Sequence, residues 1–149
     1  MGGRWENFYL DQSLGFVMHR ALTSIKAKVR KEFQRRDCNV TIDQWVILCA
    51  LWEKDGQSQA ELTEKTFKDR PTVTRMLDLL EKKGLVVRKR SATDRRVYNI
   101  FLTSLGQNFQ SKLVPIVIDL HAAILKGFSQ SETAQLYAML NRLFDNTRS

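Results

Sequence analysis

Arg70, Thr72, Thr74 and Arg75 crowd the start of one helical stretch, with Lys68 just ahead of them. Arginine forks and threonine hydroxyls at such spacing can donate to base edges and to phosphate oxygens. Farther on, Arg88, Arg90, Arg95 and Arg96 bracket a turn that also holds Asp94. Asp94 stands two residues before Arg96, so its carboxylate can orient that guanidinium and leave an edge free for a narrow minor groove. From Lys65 to Arg96 the chain has eleven Lys or Arg against four acids, an excess of seven where the whole net charge is +8. A positive field concentrated in so short a window suits a phosphate backbone and points to double-stranded DNA.

Arg75 is best suited to bidentate reading of a guanine, a contact worth about 1–3 kcal/mol of discrimination; a phosphate contact is the competing reading of the same residue. Thr72 and Thr74 suit a phosphate or a thymine methyl, while Arg88, Arg90 and Arg95 are expected beside phosphates.

These side chains must be delivered by regular elements, and the apolar spacing predicts which. Leu14, Val17, Met18, Ala21, Leu22, Ile25, Val29 and Phe33 repeat at helical steps from Asp11 to about Arg35. Thr41 with Gln44 forms a capping box for a second helix that runs to Asp55-Gly56, where glycine supplies the stop. Ser58 with Glu61 opens a short third helix, Gln59 to about Thr66, whose apolar contacts are Ala60, Leu62 and the following Phe67. Asp69 caps a fourth, Arg70 to Lys83, with Pro71 tolerated in its first turn, Val73, Met76, Leu77 and Leu80 inward, and Gly84 at its end.

Residues 85–90 and 97–102 alternate as strands around a polar turn, with Leu85 and Val87 on one face and Tyr98, Ile100 and Leu102 on another. Thr103 caps a helix from Leu105 to Lys126, kinked at Pro115 and stopped by Gly127. Ser129 and Glu132 cap the last helix, which ends near Asn146. The expected class is mainly α with a small β part (α+β). Residues 41–103 form a winged helix-turn-helix, with the helix 70–83 in the major groove and the wing 88–98 in the minor groove. Residues 1–40 and 104–149 supply flanking helices whose wide apolar faces exceed what so small a module can cover, which predicts a homodimerisation region.

The rest of the chain narrows the classes. No apolar run reaches the ~18 residues of a bilayer span, so no membrane partner is expected. Met1-Gly2-Gly3-Arg4-Trp5-Glu6 has no charged-then-apolar leader, which predicts a cytoplasmic protein. No nucleophile–base constellation or glycine-rich phosphate loop marks an enzyme, and Lys82-Lys83-Gly84 is a helix end. His19, His121, Cys38 and Cys49 lack the short spacing of zinc ligands, and no cofactor is implied. Cys49 falls on an apolar helix side and reads as a buried small hydrophobe, whereas Cys38, beside Arg35 and Arg36, reads as the exposable thiol and a redox candidate. Phe16, His19 and Arg20, with Trp45 and Leu48, can supply the aromatic walls and cationic anchor of an effector pocket; core or subunit interface is the competing reading of the same five.

Three stretches together resemble the MarR family of bacterial transcription regulators. They are Asp69-Arg70-Pro71-Thr72-Val73-Thr74-Arg75 running into Leu80-Glu81-Lys82-Lys83-Gly84-Leu85-Val86, the wing Asp94-Arg95-Arg96, and Ile100-Phe101-Leu102-Thr103-Ser104-Leu105-Gly106 leading into the long helix. The resemblance covers about residues 10–145. It implies a homodimer that binds a pseudo-palindromic operator and represses nearby genes, with Arg96 in the minor groove and Asp94 supporting it. It also implies release by a small phenolic or aromatic effector or by thiol oxidation, although Gly15 and Phe16 stand where redox-sensing relatives carry their reactive cysteine. A winged-helix module that docks protein or RNA is the alternative from another class.

Overall fold

The computed structural model describes Glu6 and residues 8–148. The stretch Met1–Trp5, read above for a leader, lies outside them. The fold is mainly helical with one three-stranded antiparallel sheet, and it divides into two units, Met1–Ile116 and Val117–Ser149.

In the first unit a 3-10 turn at Leu10–Gln12 precedes α1 (Leu14–Arg35). The helix starts three residues later than its apolar pattern suggests, because Ser13 is the cap and accepts from the Phe16 N–H. α2 (Ile42–Glu53) opens on the Thr41–Gln44 capping box, in which side chain and backbone satisfy each other's orphan groups. It ends before Gly56, and a glutamine rather than a glycine satisfies its last carbonyls. The buried Gln57 amide donates to Ala50 O at 2.7 Å and to Lys54 O at 2.6 Å. Gly56, at φ +72°, lies so close to the Phe101 ring that a Cβ would come within 2.8 Å of it.

β1 (Gln57–Ser58) leads into α3 (Gln59–Thr66), where the Ser58–Glu61 box is formed. A two-residue strand has no periodicity and so leaves no signal in the sequence. Phe67 follows in the left-handed region at φ +54° and is 70% exposed, so it does not pack under α3 as its apolar character suggested. α4 (Arg70–Lys82) has Asp69 at its cap without a side-chain hydrogen bond there, and Pro71 in its first turn. Val73, Met76, Leu77 and Leu80 form its buried stripe, as the spacing predicts. Burying each such side chain contributes about 1.5–3 kcal/mol.

β2 (Val86–Arg90) and β3 (Tyr98–Leu102) form the wing, and the sheet order is β1-β3-β2. The register sets Val86 opposite Leu102 and Arg88 opposite Ile100. Val86, not Val87, is therefore the inward residue of β2, a shift of one from the expected alternation. Leu85 is buried too, but from the turn ahead of the strand, so it and Val87 do not share a strand face.

α5 (Ser104–Ile124) leaves the sheet through a tight corner. Thr103 Oγ1 donates to Gly84 O and accepts from Gly106 N, while Thr103 N donates to Leu85 O. A Cβ on Gly106 would sit 2.0 Å from Leu85 O, so only glycine fits there. Trp52 Nε1 seals the corner by donating to Gly106 O at 3.0 Å.

The second unit begins inside α5, just past Pro115, and contains α6 (Gln130–Thr147). Gly127 at φ +89° turns the chain, and the Ser129–Glu132 capping box starts α6. Among the described residues no helix is long and apolar enough to cross a membrane.

Candidate nucleic-acid interface

The buried stripe of α4 fixes which residues point away from the protein. Arg70, Thr74 and Arg75 are exposed and Thr72 is half-buried. Arg70 and Arg75 have no ion pair or side-chain hydrogen bond among the described residues, so both guanidinium groups are available to a ligand. Thr74 is less available than its position suggests. Its hydroxyl donates to Arg70 O at 3.0 Å and accepts from Gln59 Nε2 at 2.5 Å, which ties the outer face of α4 to the start of α3. Lys68 is likewise engaged, its half-buried ammonium 2.5 Å from Asp43 Oδ1, where it pins the turn before α4 to the start of α2.

The wing presents its cations in three ways. Asp94 Oδ1 accepts from the Arg96 backbone N–H at 3.0 Å and from Arg96 Nε at 3.2 Å, and Oδ2 accepts from NH2 at 3.4 Å. The Arg96 side chain is nevertheless 90% exposed. These bonds, the backbone one first, hold the Asp94 carboxyl below its ordinary value and keep it charged. The turn itself is braced by Ser91 N to Val97 O, Val97 N to Asp94 O, and the Ser91 hydroxyl, which accepts from Asp94 N. Arg90 lies over the Tyr98 ring at 5.5 Å and Lys89 over Phe101 at 5.1 Å, cation–π contacts that stretch both side chains along the strand surface. Arg95 is exposed and has no partner among the described residues.

Arg88 departs from the expected row of phosphate contacts. Its side chain is only 19% exposed, and its guanidinium is 2.8 Å from Asp78 Oδ1 and 3.4 Å from Glu81 Oε1. It also donates to Thr74 O at 3.2 Å. The cause is the register. Arg88 shares the inward face of β2 with Val86, so its stem runs back toward α4 instead of out to solvent. Gln59, Asp78 and Glu81 were not expected at this surface. The helical spacing of Asp78 and Glu81 on the outer side of α4 was the signal available, but only the fold reveals their strand partner.

None of the five residues expected around an effector lines the opening beside α1. Leu48 is fully buried in the core, and Trp45 stands edge-on to Trp52 with ring centres 5.6 Å apart. His19 and Arg20 are exposed; Arg20 pairs with Asp11 at 3.3 Å and lies 5.8 Å from the Phe16 ring centre. A cavity of about 390 Å³ instead opens between the C-terminal half of α1 and the loop into α2. Lys26, Arg30 and Lys83 supply its cations, and Phe33, Val40 and Ile42 its apolar surface. Lys83 Nζ donates to Asn39 O at 2.6 Å and to Gln44 Oε1 at 2.9 Å, both neutral acceptors, and burial lowers its pKa.

Cys38 also borders this cavity, but as a thiol it contradicts the expectation of exposure. It is 4% exposed, and burial pushes its pKa up despite the nearby cations. Desolvation outweighs the opposing charges of Lys112 and Arg36, while Arg35 and Arg36 both turn to Glu32, at 2.6 and 3.0 Å. Cys49 is half-buried rather than sealed, and its pKa is pushed up to about 12, by burial first and then by Glu53. Neither thiol has the electropositive, open setting of a redox sensor.

Comparisons with known proteins point one way. The model of the MarR family matches residues 40–98, which span α2, the helix-turn-helix and most of the wing. The HTH-type transcriptional regulator TtmR of Methylorubrum extorquens (strain PA1) is 32% identical over 111 residues, 74% of this chain and 56% of that protein. The chain thus spans little more than half the length of this relative. A mutant MarR from E. coli, complexed with operator DNA, superposes with a TM-score of 0.82 at 26% identity, covering 87% of this chain and 92% of that one. BpsR of Bordetella bronchiseptica, whose DNA binding is regulated by 6-hydroxynicotinic acid, gives 0.86 at 22% identity over 93% and 97% of the two chains, a likeness of fold.

Proposed function

The chain belongs to the MarR family of transcription regulators, and from that premise we propose a cytoplasmic, homodimeric repressor that reads a pseudo-palindromic operator. The observation that carries this reading is the pairing of two cation sets with different geometry. Arg70 and Arg75 stand unpartnered on the outer start of α4, and Arg96 extends from a braced turn with Asp94 fixing its direction. Arg75 reads a base edge in the major groove, Arg96 enters the adjacent minor groove, and Arg70, Arg90 and Arg95 hold phosphates. The operator-bound E. coli MarR supports the docking mode.

A second copy is called for by apolar surface. Leu14, Met18, Leu22 and Ile25 are exposed on α1, and Tyr137, Met139 and Leu140 on α6. Such faces on a monomer are unusual unless a partner covers them. Residues 1–40 and 104–149 are the dimerisation region in this reading, and 41–103 the DNA-binding domain. A small aromatic effector would occupy the cation-lined cavity of α1, of a volume usual for ligand pockets.

Selection of bound sites from randomised duplex DNA tests the reading. Recovered sites should contain two inverted half-sites about one helical turn apart. Arg75→Ala should then weaken binding to the selected duplex by about 1–3 kcal/mol and relax preference at one position. Recovery of random sequence, or equal losses on selected and random duplex, would contradict it.

A further inference from the structure

We propose that Arg88 is a positioning residue, a strut that fixes the angle between the recognition helix and the wing without touching DNA. Two elements must enter neighbouring grooves together, yet β2 and α4 are joined only by the turn at Lys83, Gly84 and Leu85. One guanidinium spans the gap. Its NH2 reaches Asp78 Oδ1 and Thr74 O, and its NH1 reaches Glu81 Oε1. Three acceptors on two turns of α4 thus meet a single planar donor set from the strand, a geometry that a lysine ammonium cannot reproduce.

The backbone of the same residue completes the clamp. β2 is an edge strand, so alternate N–H groups point away from the sheet. The Arg88 N–H donates to Glu81 Oε2 at 3.0 Å, so one carboxylate holds both the strand backbone and its guanidinium. The strut also acts at the DNA face. It bonds the carbonyl of Thr74, whose hydroxyl is held by Gln59, next to the base-reading candidate Arg75.

Charge makes the proposal testable with opposite signs. Asp78 and Glu81 are acids on a surface expected to meet a polyanion, with side chains 56% and 43% exposed. Removing them raises electrostatic attraction to any duplex. If they serve the strut, operator binding should fall all the same.

The inference rests on the operator-binding reading above, so the test has one arm without DNA. In hydrogen exchange on the free protein, Arg88→Ala and the double variant Asp78→Asn/Glu81→Gln should each speed exchange of α4 from Thr74 to Lys82 and of β2. The thermal midpoint should fall little. Wild-type rates in both variants would overturn the strut whatever the DNA result.

In the DNA arm, each variant binds a duplex selected from the randomised pool and a random duplex of equal length across a salt series. The double variant should lose about tenfold on the selected duplex while random binding holds or tightens. Arg88→Ala should lose a similar factor with an unchanged slope of log K on log salt, and Arg88→Lys should recover only part of it. A phosphate contact would instead flatten the slope by about 0.9 per phosphate lost and weaken both duplexes alike, overturning the proposal. Tighter binding of both duplexes by the double variant would also overturn it. If Arg88→Ala does not fold, the double variant alone decides, since its side chains are isosteric and largely solvated. Should wild-type protein show no preference for the selected duplex, the regulator reading fails, and the exchange arm still judges the strut.

Discussion

At the wing tip a carboxylate two residues upstream holds the Arg96 guanidinium in direction while nine-tenths of the side chain stays in water. An exposed pair of this kind adds little to folding stability, so its value lies in aiming a charge that a flexible side chain would otherwise spread over many rotamers. Asp94→Asn should lower operator affinity about fivefold, with almost no change in thermal midpoint. The pH sign follows from the depressed Asp94 pKa. Its contribution is complete above the ordinary carboxylate range and is lost only as pH falls through the folded value, so binding should show no Asp94-linked change near neutrality. The thiols make the opposite case. With Cys49 pushed up to about 12 from 9.0 and Cys38 raised by burial, folded protein at pH 8 should react with iodoacetamide far more slowly than urea-unfolded protein, roughly a thousandfold less of Cys49 being thiolate. Equal rates in the two states would restore Cys38 as a sensor.

At the scale of elements, the corner between β3 and α5 depends on one hydrogen atom. Gly106→Ala would force a methyl to 2.0 Å from Leu85 O, and backbone cannot yield as a side-chain tip can. It should cost on the order of 2–4 kcal/mol in a urea melt, against about 1 kcal/mol for the cap variant Ser58→Ala. What was legible in the sequence divides along the same physical line. Local rules located the elements: the capping boxes at Thr41, Ser58 and Ser129 and the buried stripe of α4 each follow from residues three or four apart. The Asp94–Arg96 pair was readable because it is two residues long. What depends on strand register or tertiary neighbours was not. Arg88 and Val87 exchanged roles because the register turns Val86 and Arg88 inward, and the buried Gln57 amide that closes α2 leaves no local signal. Cys38 departs from the expectation because burial desolvates its thiol, and Leu48 takes the core position that competed with an effector role. The cavity proposed for an effector is absent from any local pattern, since α1, the loop after it and the end of α4 make it together.

For the whole molecule, the proposed function needs two copies and a salt-sensitive grip. Leu22→Glu on α1 and Leu140→Glu on α6, residues 52% and 43% exposed, should each weaken self-association by about 2 kcal/mol or more, with the winged domain still folded by circular dichroism. Sedimentation checks this, and unaltered association would move the interface elsewhere. Operator affinity should fall with it, because a single winged domain grips half a site and loses the gain of a linked second contact.

Hydroxyl-radical footprinting on a duplex selected from the randomised pool tests the central claim most directly, that paired helices and wings hold successive turns of one DNA face. The account predicts two equivalent protected patches about 10 base pairs apart, each flanked by minor-groove protection that vanishes in Arg96→Ala. A single patch, or a pattern that Arg96→Ala leaves unchanged, would contradict it.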